Sequence, residues 1–134
     1  MQAAGSAGTV LVVEDMEAVR KMLCSLLHQR GFTCWEAADG VEALFLVESR
    51  IDELNLVLTD VVMPRMNGSE LANRLGRLRP DLPVVFMSGY VDDPLLEVIG
   101  RSGVPFLAKP FTTDALVQAI RDAIAASQSG SPLQ

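Results

Sequence analysis

Histidine, tryptophan and tyrosine occur once each in this chain, and cysteine twice. That scarcity excludes whole classes of site. Cys24 and Cys34 fit no zinc-ligand spacing, and two cysteines do not make a disulfide scaffold. Both are expected to pack as small apolar residues. His28 falls off the apolar face of its helix, has no acidic neighbour, and is expected in solvent. Trp35 and the methionines are expected in the core or at its edge. Basic charge is also short: 11 Lys and Arg face 17 Asp and Glu, a net charge of −6. With no basic stripe, nucleic acid is excluded as a direct partner. No apolar run approaches the ~20 residues of a membrane span, so no membrane insertion is expected. Residues 1–8 have neither the basic nor the apolar region of a secretory leader. The expected location is the cytoplasm.

What is present suits one domain. The chain has 134 residues and is 49% apolar, enough for a substantial core. Residues 1–8 read as a disordered lead-in, 9–127 as the domain, and 128–134, rich in Ser, Gly and Pro, as a flexible tail. Between the tails, short apolar runs alternate with helical spacing. Strands are expected at Thr9–Val13, Phe32–Ala37, Asn55–Thr59, Val84–Met87 and Phe106–Ala108. Helices are marked by Val19–Leu27, stopped at Gly31, by Val41, Leu44 and Val47, and by Leu71, Leu75 and Leu78, closed by Pro80. A short helix runs from Pro94 to Ile99, and a last one carries Leu116, Ile120 and Ile124. Runs that are apolar throughout suit parallel strands covered on both faces. The expected fold is α/β: a flavodoxin-like (βα)5 three-layer sandwich around a parallel sheet in the order 2-1-3-4-5.

In such sheets ligands bind beyond the carboxyl ends of the strands. Those positions hold Glu14 and Asp15 after the first strand, Asp60 after the third, Ser88 at the fourth, and Lys109 with Pro110 after the fifth. Each has an ordinary reading on its own. Glu14 and Asp15 could cap the first helix, Asp60 could be a solvated loop acid, Ser88 a turn residue and Lys109 a surface cation. Their coincidence on one rim favours chemistry. Three carboxylates against one ammonium repel one another, and a divalent cation offsets the excess. All-oxygen ligands suit Mg²⁺, with Mn²⁺ as a substitute. A carboxylate beside such an ion can attack phosphorus and form an acyl phosphate. Lysine and a hydroxyl would hold the other phosphoryl oxygens.

Four motifs then carry a family resemblance: VLVVED (10–15), LTDVVMPRMNG (58–68), VVFMSGY (84–90) and FLAKPF (106–111). In this order, between these elements, they resemble the receiver domain of bacterial two-component response regulators. The wording of VVMPRMNG, MSGY and FLAKPF also resembles receivers at the C-terminus of hybrid histidine kinases. The resemblance implies that Asp60 accepts the phosphoryl group. It implies Mg²⁺ held by Asp15 and Asp60, by Glu14 through water, and by the backbone carbonyl of Val62. Lys109 would bind the phosphoryl group, with Ser88 and Phe106 as switch residues. Met63, Pro64 and Gly68 would shape the loop after the acceptor, and Pro110 would follow a cis peptide. Val62 and Tyr90 would govern water access, and their bulk implies slow self-dephosphorylation. The implied partner is a histidine kinase or histidine phosphotransfer protein. A homodimer through the face of the fourth helix, fifth strand and fifth helix is a further implied partner. The protein would be no enzyme beyond promoting its own phosphorylation and dephosphorylation.

Other readings fit less well. A haloacid dehalogenase phosphatase needs a titratable group two residues past the nucleophile, where this chain has Val62. A flavodoxin needs a phosphate-cradling loop after the first strand, where Glu14 and Asp15 would repel the phosphate. A receiver-like interaction module that works without phosphorylation would usually have lost a site residue, and none is missing here.

Overall fold

The computed structural model describes residues 7–63, 65–88 and 105–128. Pro64, Tyr90, the segment 94–99 and residues 129–134 lie outside the described residues. Five strands, β1 (Gly8–Val13), β2 (Phe32–Ala37), β3 (Leu56–Asp60), β4 (Val84–Ser88) and β5 (Phe106–Ala108), form one sheet in the order β2-β1-β3-β4-β5. Every pairing is parallel. Around it lie α1 (Glu17–Gln29), α2 (Gly40–Arg50), α3 (Gly68–Leu78) and the last helix, here α4 (Thr113–Gln128). A single 3-10 turn, Ile51–Glu53, leads from α2 towards β3.

The sheet divides the core into two layers because alternate strand residues face opposite sides. Val10, Val12, Leu56, Leu58, Val85 and Met87 pack with Leu23 and Leu27 of α1 and with Leu116 and Ile120 of α4. Leu11, Val13 and Val57 face the other way, onto Ala43 and Val47 of α2 and Leu71 and Leu75 of α3. All five residues of β3 are buried, which explains why the central strand reads as an unbroken apolar run ending in an acid.

Local sequence sets the helix starts. Asn67 caps α3 in a reciprocal box, its Oδ1 accepting from Glu70 N while Glu70 Oε1 accepts from Asn67 N. Asp39 caps α2 by accepting from Glu42 N. The cap position of α1 is Met16, which has no side-chain cap of its own; Glu14 Oε2 accepts its N–H at 3.2 Å. Glu14 therefore serves the helix start from two residues upstream.

Strand ends differ slightly from the sequence reading. Asp60 is the last residue of β3, not the first after it, while Ser88 closes β4 as expected. Helix faces differ more. Val41 is 52% exposed and Leu78 45% exposed, so neither belongs to the buried stripe it was expected to mark. Trp35 sits at the core edge as expected, with the Arg50 guanidinium 4.4 Å above its ring. His28 is exposed. Among the described residues, no helix is long and apolar enough to cross a membrane.

Candidate functional site

Parallel strands end together, so the ends of β1, β3, β4 and β5 deliver their residues to one rim. Glu14, Asp60 and Ser88 are each more than nine-tenths buried, whereas Asp15 is exposed. Glu14, Asp15 and Asp60 each present a carboxylate oxygen within 4.8 Å of the others. Lys109 follows β5 and reaches both buried acids, with Nζ 3.1 Å from Glu14 Oε1 and 3.4 Å from Asp60 Oδ2. The peptide from Lys109 to Pro110 is cis. Lys109 N donates to Ser88 O at 2.8 Å, tying the lysine to the end of β4.

Two opposing effects act on the Lys109 ammonium. Burial on its own pushes its pKa down. The Asp60 charge, the hydrogen bond to Glu14 and the Glu14 charge outweigh it, and the net shift is upward. Lys109 is therefore a fixed positive charge at neutral pH.

The two oxygens of Asp60 are not equivalent. Oδ2 faces Lys109, while Oδ1 is buried without a hydrogen-bond partner. A bare buried carboxylate oxygen is costly unless something supplies positive charge or a donor. Three clustered carboxylates with one such oxygen are a donor set that fits a small, hard divalent cation such as Mg²⁺.

The loop after Asp60 is anchored at both ends. Val61 is buried, and its N–H donates to Met87 O at 3.0 Å. Thr59 Oγ1 donates to Asp60 O at 2.9 Å, and Met63 is buried beside it. Gly68 N donates to Val61 O at 2.8 Å, and a Cβ on Gly68 would collide with the Asp60 carbonyl oxygen. Val62 stands 37% exposed at the rim, and Phe106 on the edge strand is equally exposed.

Sequence reasoning missed Arg20. Its Nη1 donates to Glu14 O at 2.9 Å and its Nε to Glu36 Oε1 at 3.0 Å, so it holds the end of β1 against β2. It also missed Arg65, in the left-handed region at φ 68°, which pairs with the buried carboxylate of Asp39. Neither contact has a spacing rule that could announce it, because each joins elements brought together only by the fold.

Known proteins resemble the chain closely. Residues 10–121 match the family described as the response regulator receiver domain. The chain is 41% identical over 119 residues to the sensor kinase CckA of Brucella abortus, covering 88% of this chain and 12% of that protein. It is 34% identical over 116 residues to the transcriptional regulatory protein FixJ of Rhizobium meliloti, covering 86% of this chain and 56% of that protein. The chain thus spans only part of these relatives. Among solved structures, the receiver domain of the hybrid histidine kinase CckA superposes with a TM-score of 0.74 at 35% identity, over 87% of this chain and 99% of that one. A receiver domain protein from Clostridium thermocellum superposes with a TM-score of 0.85 over 91% of this chain and 98% of that one; at 24% identity it bears on the fold alone.

Proposed function

The chain belongs to the response regulator receiver domain family of two-component signalling, and from that premise we propose that it is a phosphorylation switch whose acceptor is Asp60. The observation that carries this reading is the asymmetry of Asp60. One oxygen is held by Lys109 and the other is buried without a partner, beside Glu14 and Asp15. An Asp60 oxygen attacks the phosphorus of a phosphohistidine. The phosphorus–nitrogen bond breaks, its electron pair stays with the imidazole, and an acyl phosphate forms on Asp60. Lys109 sits where it can hold a phosphoryl oxygen as a point charge. Asp15, Asp60, the Val62 carbonyl and, through water, Glu14 would hold Mg²⁺. When bound, the ion supplies positive charge that offsets the carboxylates and the incoming phosphoryl group.

Incubation with Mg²⁺ and acetyl phosphate or phosphoramidate should add one phosphoryl group, and Asp60→Asn should abolish the addition. Mass spectrometry mapping the group to any other residue would overturn the reading. The donor in a cell is a histidine kinase or histidine phosphotransfer protein. The similarity to a receiver within a sensor kinase supports a hybrid-kinase relay. Location in the cytoplasm is part of the same reading. Bulky Val62, 37% exposed at the rim, supports slow loss of the phosphoryl group; Tyr90, the other residue of that reading, lies outside the described residues.

The output is proposed to run through Ser88 and Phe106. In register, Ser88 lies beside Ala108, two residues along β5 from Phe106. A phosphoryl oxygen on Asp60 recruits the Ser88 hydroxyl and draws it inward. The Phe106 ring, 37% exposed, then turns into the space beside β5. An apolar ring loses no hydroxyl hydration on entering. Phosphorylation biases that equilibrium only by its differential affinity for the two states. The readout is proposed to be the surface of β5 and α4 together with the sequence segment 94–99, which lies outside the described residues, and it would dock a partner or a second copy. On adding beryllofluoride, amide shifts should reach residues 105–108 and vanish in Ser88→Ala, which still takes up the phosphoryl group. Shifts confined to Asp15, Asp60 and Lys109 would rule the mechanism out.

A further inference from the structure

The two cysteines meet for a geometric reason. β2 is an edge strand, and α1 crosses back over it antiparallel as the link between parallel β1 and β2. Glu36 fixes their register: Arg20 Nε lies 3.0 Å and Lys21 Nζ 3.3 Å from its Oε1. From Arg20 to Cys24 is four residues along the same helix face, about 6 Å. From Glu36 back to Cys34 is two residues along the same strand face, about 6.6 Å. Antiparallel elements make both steps run the same way, so Cys24 arrives over Cys34. Both thiols are half-buried and pack against the same core layer.

We propose that Cys24 and Cys34 form a redox modification site, which a hydroperoxide converts to an intramolecular disulfide stapling α1 to β2. Their surroundings make the two thiols unequal: Cys34 Sγ donates to Trp35 O at 3.8 Å, while Cys24 lies one helical turn along α1 from Arg20 and Lys21. Cys24 has its pKa lowered, first by the neighbouring Cys34 thiol and further by Lys21 and Arg20, against burial and the Glu36 charge. Cys34 is pushed up, first by the neighbouring Cys24 thiol and then by burial. Cys24, one helical turn along α1 from the Arg20 and Lys21 cations, is the attacking sulfur, and Cys34 on β2 the resolving one. The Cys24 thiolate attacks a peroxide oxygen, the O–O bond breaks, and the leaving oxygen departs with a proton as water or alcohol. Cys24 is then a sulfenic acid. The Cys34 sulfur attacks it, the S–O bond breaks, and a second water leaves with the Cys34 proton. Two thiols are oxidised and one hydroperoxide is reduced.

The test treats the full chain with a small molar excess of hydrogen peroxide, followed by alkylation, intact mass and peptide mapping. The expected result is joint loss of both alkylatable thiols, a mass lower by two hydrogens, one cross-linked peptide pair, a monomer on a non-reducing gel, and reversal by dithiothreitol. Cys34→Ser should leave a sulfenic acid on Cys24 that dimedone traps, while Cys24→Ser should leave Cys34 unoxidised. Circular dichroism of both variants checks that they are folded. Two thiols still fully alkylated, disulfide-linked dimers, or separate over-oxidation of each sulfur would overturn the proposal. Because the readout needs no phosphoryl donor, it stands apart from the Asp60 reading.

Discussion

Replacing Lys109 with methionine is expected to destabilise the fold by about 2–3 kcal/mol and to abolish phosphoryl uptake. Lys109 is the cation shared by two carboxylates that the fold buries, Glu14 and Asp60. Removing one partner of a buried ion pair costs roughly 3–5 kcal/mol, because the remaining charge is left uncompensated. The lysine side chain is 28% exposed, so solvent screening brings the expected cost below that range, to about 2–3 kcal/mol. Mg²⁺ should then do for the variant what the ammonium does for the parent. A ligand that binds only the native state stabilises by RT ln(1 + [L]/Kd), about 2.7 kcal/mol at one hundred times Kd. Urea melts with and without millimolar Mg²⁺ would check this. The ion should stabilise Lys109→Met more than the parent, and adding Asp15→Asn should remove most of that gain. Equal Mg²⁺ responses in all three proteins would show that the carboxylate cluster does not bind the ion.

The sign of the lysine shift gives the pH dependence. Its pKa is raised in the native state, so its contribution is complete below the unfolded-state value and is lost as pH climbs through the native one. The window is alkaline. The parent should therefore lose stability above the ordinary lysine range, and Lys109→Met should lack that component of the loss.

Much of this arrangement was legible in the chain because the physics is local. Parallel strands covered on both faces leave continuous apolar runs, and Phe32–Ala37 and Phe106–Ala108 have the ends the sequence implied. The rim acids were legible because each follows such a run. The faces of α2 were not. Val41, Leu44, Phe45, Leu46 and Val47 are apolar around the helix, so spacing alone cannot say that Ala43 and Val47 are buried while Phe45 is 75% exposed. The unequal oxygens of Asp60 and the meeting of Cys24 with Cys34 were also hidden. Both depend on which element packs against which, and the second also on a register that Glu36 sets with Arg20 and Lys21.

Two glycines of one helix should respond to alanine in opposite directions. At Gly68 a Cβ would collide with the Asp60 carbonyl oxygen and lie 3.1 Å from Val61 Cα, both main-chain atoms. Neither atom can retreat freely, because Val61 N donates to Met87 O and Thr59 Oγ1 donates to Asp60 O. Overpacking against a fixed neighbour costs about 1–3 kcal/mol, and backbone contact puts Gly68→Ala near the top of that range. The displacement falls on the acceptor itself, so phosphoryl uptake should drop many-fold even where the variant remains folded. Gly76 lies on the exposed side of the same helix with nothing within 4 Å of its added Cβ. There alanine relieves a mid-helix glycine and should stabilise by about 0.5–1 kcal/mol, with phosphorylation unchanged. Denaturant midpoints of the two variants against the parent provide the check. A Gly68→Ala midpoint equal to that of the parent would mean that the β3–α3 connection yields, and that close approach of the helix to the acceptor peptide does not fix the site.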